Sequence, residues 1–223
     1  MIRIIGTSHI AHESVQTIRK AFEEFKPEIV ALELDKNRLY ALLHPGQKSS
    51  FWELLRNVGW KGCLFAYLGK YVQDKLGKMT GMKPGSDMLE AIRLAREQKI
   101  PVALIDQDLK ITLSRLSEKI TWKEKSRVIR DALFPPKEYA LLKQNLRIVP
   151  SKELIEKVLS HLKKHYPNFH KVLVGERNSY MIRRLVELQA ANTDKKILAI
   201  AGAGHEDALK NYFERKTYKR ATR

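Results

Sequence analysis

Ile2-Arg3-Ile4-Ile5-Gly6-Thr7-Ser8-His9 returns near the far end of the chain as Leu198-Ala199-Ile200-Ala201-Gly202-Ala203-Gly204-His205. Each copy is a short apolar run of strand type that ends in Gly-x-x-His and opens a helix. After the first, Val15, Ile18, Phe22 and Phe25 recur at helical spacing. Pro27 ends that helix, and Glu28-Ile29-Val30-Ala31-Leu32-Glu33-Leu34 follows as a nearly continuous apolar run. A run of strand length without alternation suits a strand buried on both faces, so the pattern predicts a parallel β-α-β unit.

Outward from that unit, Asp35 to Leu43 reads as a helix, and His44-Pro45-Gly46 breaks it before a long helical region from Phe51 to about Lys78. Lys83-Pro84-Gly85 makes a second break, with Ser86 placed to cap a helix over Asp87 to Gln98. Ile100 to Asp106 reads as the third strand. Leu109 to Leu162 carries amphipathic helical segments interrupted at Pro135-Pro136 and Pro150, then a helix runs through Asn178 to Ala190 and a last strand from Lys196 to Gly202. The expected fold is α/β: one domain, 1–223, with a central, mainly parallel sheet flanked by helices. A helical insertion at about 47–82 and a helical cap at about 109–170 complete it.

A chain of 223 residues with 43% hydrophobic content can bury one substantial core. Cys63 is the only cysteine, which excludes an internal disulfide or a thiolate-built metal cluster and suits a reducing, cytoplasmic setting. The N-terminus lacks the basic and long apolar regions of a secretory signal, so the mature chain is expected to start at Met1. The most apolar stretch, Val58 to Gly69, is interrupted by Lys61 and too short to span a bilayer. Forty-two Lys+Arg against 25 Asp+Glu leave a net charge of +17, which attracts nucleic acid, anionic lipid or acidic peptide. That charge is dispersed along the chain, and no zinc finger or RNP motif accompanies it, so nucleic-acid binding ranks last among the readings and most basic residues are solvated. Trp52, Trp60, Phe65 and Tyr67 in the insertion read first as core, with a substrate groove or a homo-oligomer contact as alternatives.

Ligands in an open α/β sheet collect at the carboxyl ends of the strands. His9 follows the first strand, Glu33 and Asp35 close the second, Asp106 and Asp108 the third, and His205 follows the last. Either histidine alone reads as a turn residue bonded to backbone; the paired placement is what favours a site. Two imidazoles and a carboxylate, His9, His205 and Glu33, form a ligand set for a divalent ion with open positions, and zinc, manganese, cobalt and iron all suit such donors. An ion there would acidify water and polarise a carbonyl, which makes hydrolysis the simplest chemistry. Gly6 and Gly202 are expected to let backbone approach the substrate. Gly175-Glu176-Arg177-Asn178 reads as a helix opening in which Arg177 and Asn178 donate to a developing oxyanion and Glu176 moves protons or binds metal. The plain alternative is a carboxylate-rich helix N-terminus with an ordinary salt bridge. His12, His44, His161, His165 and His170 read as capping, packing or solvated residues.

An ordered set of short motifs resembles the TraB/PrgY (pheromone shutdown) family, whose wider clan includes Tiki metalloproteases and relatives of erythromycin esterase and ChaN. The carriers are Gly6-Thr7-Ser8-His9, Glu33-Leu34-Asp35 with Arg38, Lys83-Pro84-Gly85 with Met88, Asp106 with Thr112 and Arg115, Glu176-Arg177-Asn178 with Met181, and Gly202-Ala203-Gly204-His205. The resemblance covers essentially the whole chain. It implies an esterase/ChaN-like α/β fold and, by similarity to Tiki proteins, proteolysis dependent on manganese or cobalt with both Gly-x-x-His histidines essential. Asp87 stands where the resemblance leads one to expect glutamate. Many members continue into membrane-spanning helices, so a naturally soluble member or an excised domain is expected. The leading expectation is a metal-dependent hydrolase acting on a peptide. In it His9, His205 and Glu33 hold the ion, Glu176 transfers protons, Arg177 or Asn178 stabilises the oxyanion, and Arg38, Asp106 and Arg115 support them. The alternative is a non-catalytic module that sequesters a peptide or other small ligand.

Overall fold

A computed structural model of the chain describes residues 1–7, 12–44, 85–133 and 152–221. The strands are β1 (Ile2–Thr7), β2 (Ile29–Leu32), β3 (Val102–Leu104) and β4 (Ile197–Gly202). The described helices are α1 (His12–Phe25), α2 (Lys36–Leu43), α3 (Ser86–Glu97), α4 (Leu109–Lys119), α5 (Trp122–Leu133), α6 (Lys152–His165), α7 (Pro167–His170), α8 (Arg177–Ala191) and α9 (Ala203–Ala221), with a π-helix at Lys171–Glu176. The sheet order is β1-β4-β2-β3, and all three pairings are parallel. Ile197 of β4 lies in register with Ile2 of β1 and Ile29 of β2, so the last strand inserts between the first two.

Strand alternation sends successive side chains to opposite faces and splits the core in two. Leu198 and Ile200, with Val30, Leu32 and Ile5, meet Ile18 and Phe22 of α1 and Met88 and Ala91 of α3. Ile197, Ala199 and Ala201, with Ile29 and Ala31, meet Met181 and Leu185 of α8 and Leu209 and Phe213 of α9. Each large apolar side chain buried this way contributes about 1.5–3 kcal/mol. The helix after β1 therefore lies on one face and the helix after β4 on the other, the strand arrangement beside which open α/β sheets bind ligands at their carboxyl ends. A third cluster, Leu113, Leu116, Ile120 and Val172, ties α4 to the π-helix.

Three local expectations shift. The third strand shortens to Val102–Leu104 because it is the sheet edge and Pro101 has no N–H for the ladder. Ser86 does not cap α3: Gly85 is the N-cap residue at φ 83°, with no side-chain cap bond, and Ser86 is the first helical residue. A Cβ on Gly85 would stand 2.6 Å from Leu42 Cδ2, so glycine serves both the left-handed turn and the close packing. Glu176 does not sit at a helix start either. Residues from α7 through the π-helix into α8 keep helical backbone, with Glu176 at φ −66° and ψ −39°, so its neighbouring amides are already committed along the helix. The insertion expected at about 47–82, and residues 134–151 of the cap region, lie outside the described residues; the described parts of 109–170 are almost entirely helical.

Candidate functional site

The sheet rim gathers side chains from four separate stretches of sequence. Glu33 follows β2 directly, and its amide still bonds Ile200 O of β4 at 3.0 Å, which fixes the backbone from which its carboxylate extends. Asp35 caps α2 by accepting from the Asn37 and Arg38 amides at 2.8 and 3.0 Å, and this cap presents Arg38 to the rim. Asp106 follows β3 and accepts the Gln107 amide at 2.8 Å. His205 lies in the first turn of α9, and Arg177 and Asn178 open α8 directly after the π-helix. A π turn is a rare element found often at functional positions, and here it immediately precedes the two α8 residues that reach the rim.

Arg177 is the hub. Its Nε and Nη2 donate to the two Asp106 oxygens at 3.0 and 2.6 Å, Nη2 also donates to Glu33 Oε1, and Nη1 donates to His205 Nε2 at 3.0 Å and Leu173 O at 3.3 Å. Arg38 Nη1 reaches Asp106 Oδ2 at 2.5 Å, while its Nη2 holds the Glu33 carbonyl at 3.1 Å. Side-chain exposure is 16% for Arg177, 4% for Glu33 and 1% for Asp106, so the ion pairs are largely removed from water. Burial works against the Arg177 charge, but Glu33 and Asp106 outweigh it and hold the guanidinium more firmly protonated than usual.

The hydrogen-bond partners also fix the His205 tautomer. A guanidinium can only donate, so Nε2 carries the lone pair toward Arg177, and the proton is on Nδ1, donated to Asn178 Oδ1 at 2.6 Å. Glu33 Oε2 accepts the Gly202 amide at 2.5 Å, so Gly202 serves the carboxylate directly. His205 Nε2 and Glu33 Oε1 are 3.5 Å apart. Two donors each bonded to one ion at about 2.1 Å are separated by roughly 3–3.5 Å, so this pair fits a shared divalent ion in donor type and spacing. No group of three histidine, cysteine or carboxylate donors comes together among the described residues. His9 lies outside them.

Glu176 and Arg115 form a separate pair. Arg115 Nε and Nη2 clasp the two Glu176 oxygens at 3.1 and 2.9 Å, fastening the π-helix to α4. The Arg115 guanidinium holds the Glu176 carboxyl below its ordinary range, so it stays ionised at neutral pH. Among the described residues Glu176 does not bond Glu33, Asp106 or His205.

Two carboxylates outside the expected set reach this end of the sheet. Asp87 is buried in the first turn of α3 and accepts from Thr7 Oγ1 at the end of β1, at 2.5 Å. Glu206 lies over Gly6: a Cβ built there would meet Glu206 Oε2 at 2.2 Å, Cδ at 2.5 Å and Cβ at 2.9 Å. The bare face of Gly6 is thus occupied by this chain's own carboxylate, which also pairs with Lys210 Nζ at 2.5 Å. Glu206 carries only a weak sequence signal, an acid in a helix first turn, and tertiary packing alone places it over β1. Gly6→Ala is expected to destabilise the fold by about 1–3 kcal/mol in urea unfolding. Adding Glu206→Ala should recover part of that loss and not all, because the Cβ at position 206 stays 2.9 Å from the new methyl. Wild-type stability in Gly6→Ala alone would contradict the packing.

No helix among the described residues is long and apolar enough to cross a membrane. An uncharacterized protein of Methanocaldococcus jannaschii is 34% identical over 215 residues, covering 96% of this chain and 53% of that protein. The human and mouse TraB domain-containing proteins are 24% and 23% identical over 230 residues, covering 92% of this chain and 60% of each of theirs. The chain therefore spans about half to three-fifths of the length of these relatives. The family model for TraB/PrgY/gumN matches residues 1–215, and with motifs near both ends of the sequence falling inside that match, the chain belongs to the TraB/PrgY/gumN family.

Proposed function

We propose that the rim formed by Glu33, His205, Arg177 and Asn178 is a divalent-metal-dependent hydrolytic site whose substrate is a peptide. The observation that carries this reading is the pairing of His205 Nε2 with Glu33 Oε1 at 3.5 Å, the imidazole proton being held on the far nitrogen by Asn178. A metal-binding histidine needs that tautomer, and an amide or carboxylate on the other ring nitrogen is its usual support. His205 and Glu33 would hold the ion together with His9. When bound, such an ion supplies an acidified water and a polarised carbonyl; manganese, cobalt and zinc all suit the donors.

The remaining steps belong to the chain. Arg177, anchored by Asp106, would donate to a carbonyl oxygen on which charge develops through the N–H groups that it gives up from Glu33 and His205. Arg38 steadies Asp106 and the Glu33 carbonyl, and the Gly202 amide orients the Glu33 carboxylate. Glu176 and Arg115 act in this reading as a clamp that positions the start of α8, because a carboxylate held ionised by a bidentate guanidinium is a poor proton donor.

The test is elemental analysis of the full chain purified without chelator, beside His9→Ala and His205→Ala, followed by incubation with a peptide library and each of manganese, cobalt and zinc. Stoichiometric metal in the wild type, lost in both variants together with product formation, is the expected result; no metal in any of the three sinks the reading. A second reading is favoured by the closed network of Glu33 and Asp106 with Arg177 and Arg38, in which the charges balance without an added ion: a module that binds a peptide or other small ligand without turnover. Ligand retention without product in the same incubations selects it.

A further inference from the structure

We propose that Arg177 is an exchangeable internal counter-cation: its guanidinium occupies the His205 Nε2 and Glu33 Oε1 lone pairs through which a divalent ion would be held, so guanidinium and ion exclude one another. The inference rests on the metal reading of this site and adds a control over it.

A neutral imidazole has one acceptor nitrogen. His205 donates from Nδ1 to Asn178, so Nε2 is its single lone pair, and Arg177 Nη1 takes it at 3.0 Å. The same guanidinium takes Glu33 Oε1 through Nη2. A divalent ion held by these atoms would therefore displace two hydrogen bonds and also sit beside a buried cation, where like charges repel strongly because little water screens them. Charge points the same way. Glu33 and Asp106 are balanced by Arg177 and Arg38, so an added ion leaves an excess of positive charge unless Arg177 draws back.

Drawing back requires no unfolding. Asp106 is an anchor outside the metal-binding pair, so rotation about the outer side-chain bonds, with loss of the Leu173 O bond, would release His205 and Glu33 while Asp106 keeps the guanidinium at the rim. Asp106 stays in place meanwhile because Arg38 holds it independently. Arg177 so parked is the oxyanion donor described above, and its release is coupled to filling of the site.

Calorimetric titration of the chelator-treated full chain with Mn²⁺ and Zn²⁺ tests this in the wild type, Arg177→Met and Arg177→Lys, each with and without His205→Ala. Arg177→Met is expected to bind roughly tenfold or more tightly than the wild type, with the gain abolished by His205→Ala. Arg177→Lys keeps the charge but loses the fork that bridges the side chains of Asp106, Glu33 and His205, so its gain is expected to be smaller. Thermal unfolding gives the second readout: added metal should raise the Tm of Arg177→Met more than that of the wild type. If Arg177→Met is too unstable to titrate, Arg177→Lys carries the comparison. Equal or weaker affinity in the Arg177 variants, with binding still lost on His205→Ala, overturns the exchange and leaves the metal site standing. No binding in any protein overturns both.

Discussion

Arg177→Met, measured without metal, is expected to lose about 3–5 kcal/mol of unfolding free energy, because it leaves two buried carboxylates without their shared cation. Glu33 and Asp106 are 4% and 1% exposed at the side chain, and Arg177 bonds both. Arg38 still reaches Asp106 in the variant but touches only the backbone carbonyl of Glu33, so Asp106 keeps a guanidinium while Glu33 loses its ion pair with Arg177. Adding Glu33→Gln to Arg177→Met should therefore restore a good part of the loss: it removes the uncompensated charge while its side-chain oxygen can still accept the Gly202 amide. A urea series on the single and double variants checks this. If the double variant is as unstable as the single, or the single matches the wild type, the buried charge is not what Arg177 compensates.

The second large effect lies two turns further along the same helix. Leu185 is fully buried, and with Met181 it packs α8 onto the face of the sheet made by Ile197, Ala199 and Ala201. Leu185→Ala should cost about 2–5 kcal/mol, the usual range for emptying such a site. The two α8 variants then separate support from chemistry. Leu185→Ala lowers stability and leaves the donors at Glu33 and His205 intact, so its metal affinity should match the wild type wherever the fold persists. Arg177→Met lowers stability and raises affinity. Parallel urea and calorimetric measurements distinguish them, and a tighter-binding Leu185→Ala would show that loosening α8, rather than removing a cation, drives the change.

Much of the fold was legible in the chain. Leu198 and Ile200 alternate with Ile197, Ala199 and Ala201, and the short length of β2 with no polar interruption marks a strand covered on both faces; both patterns are local and survive in any neighbourhood. The chemistry-bearing residues His205, Glu33 and Asp106 were readable for the same reason, since each follows an apolar run directly and strand ends in a parallel sheet share one rim. Less legible were the caps and helix starts. Gly85 rather than Ser86 is the N-cap of α3 because the chain enters the helix at φ 83°, a conformation that side-chain-bearing residues rarely adopt, and the π turn before Arg177 carries no periodic signature of its own.

The sequence by itself therefore determined the four strands, the two apolar faces of the sheet and the place of Glu33, Asp106 and His205 at its carboxyl edge. Those follow from side-chain periodicity and from the chain breaks at glycine and proline, which neighbouring residues alone dictate. Only the tertiary structure brought Arg177 to them and decided which side chains pair. Arg177 meets Glu33 across 144 residues of sequence and Asp106 across 71, while Glu176, its immediate neighbour, turns to Arg115 instead. The physical reason is the strand order: β4 enters between β1 and β2, carries His205 to Glu33, and lets α8 lay one guanidinium across both.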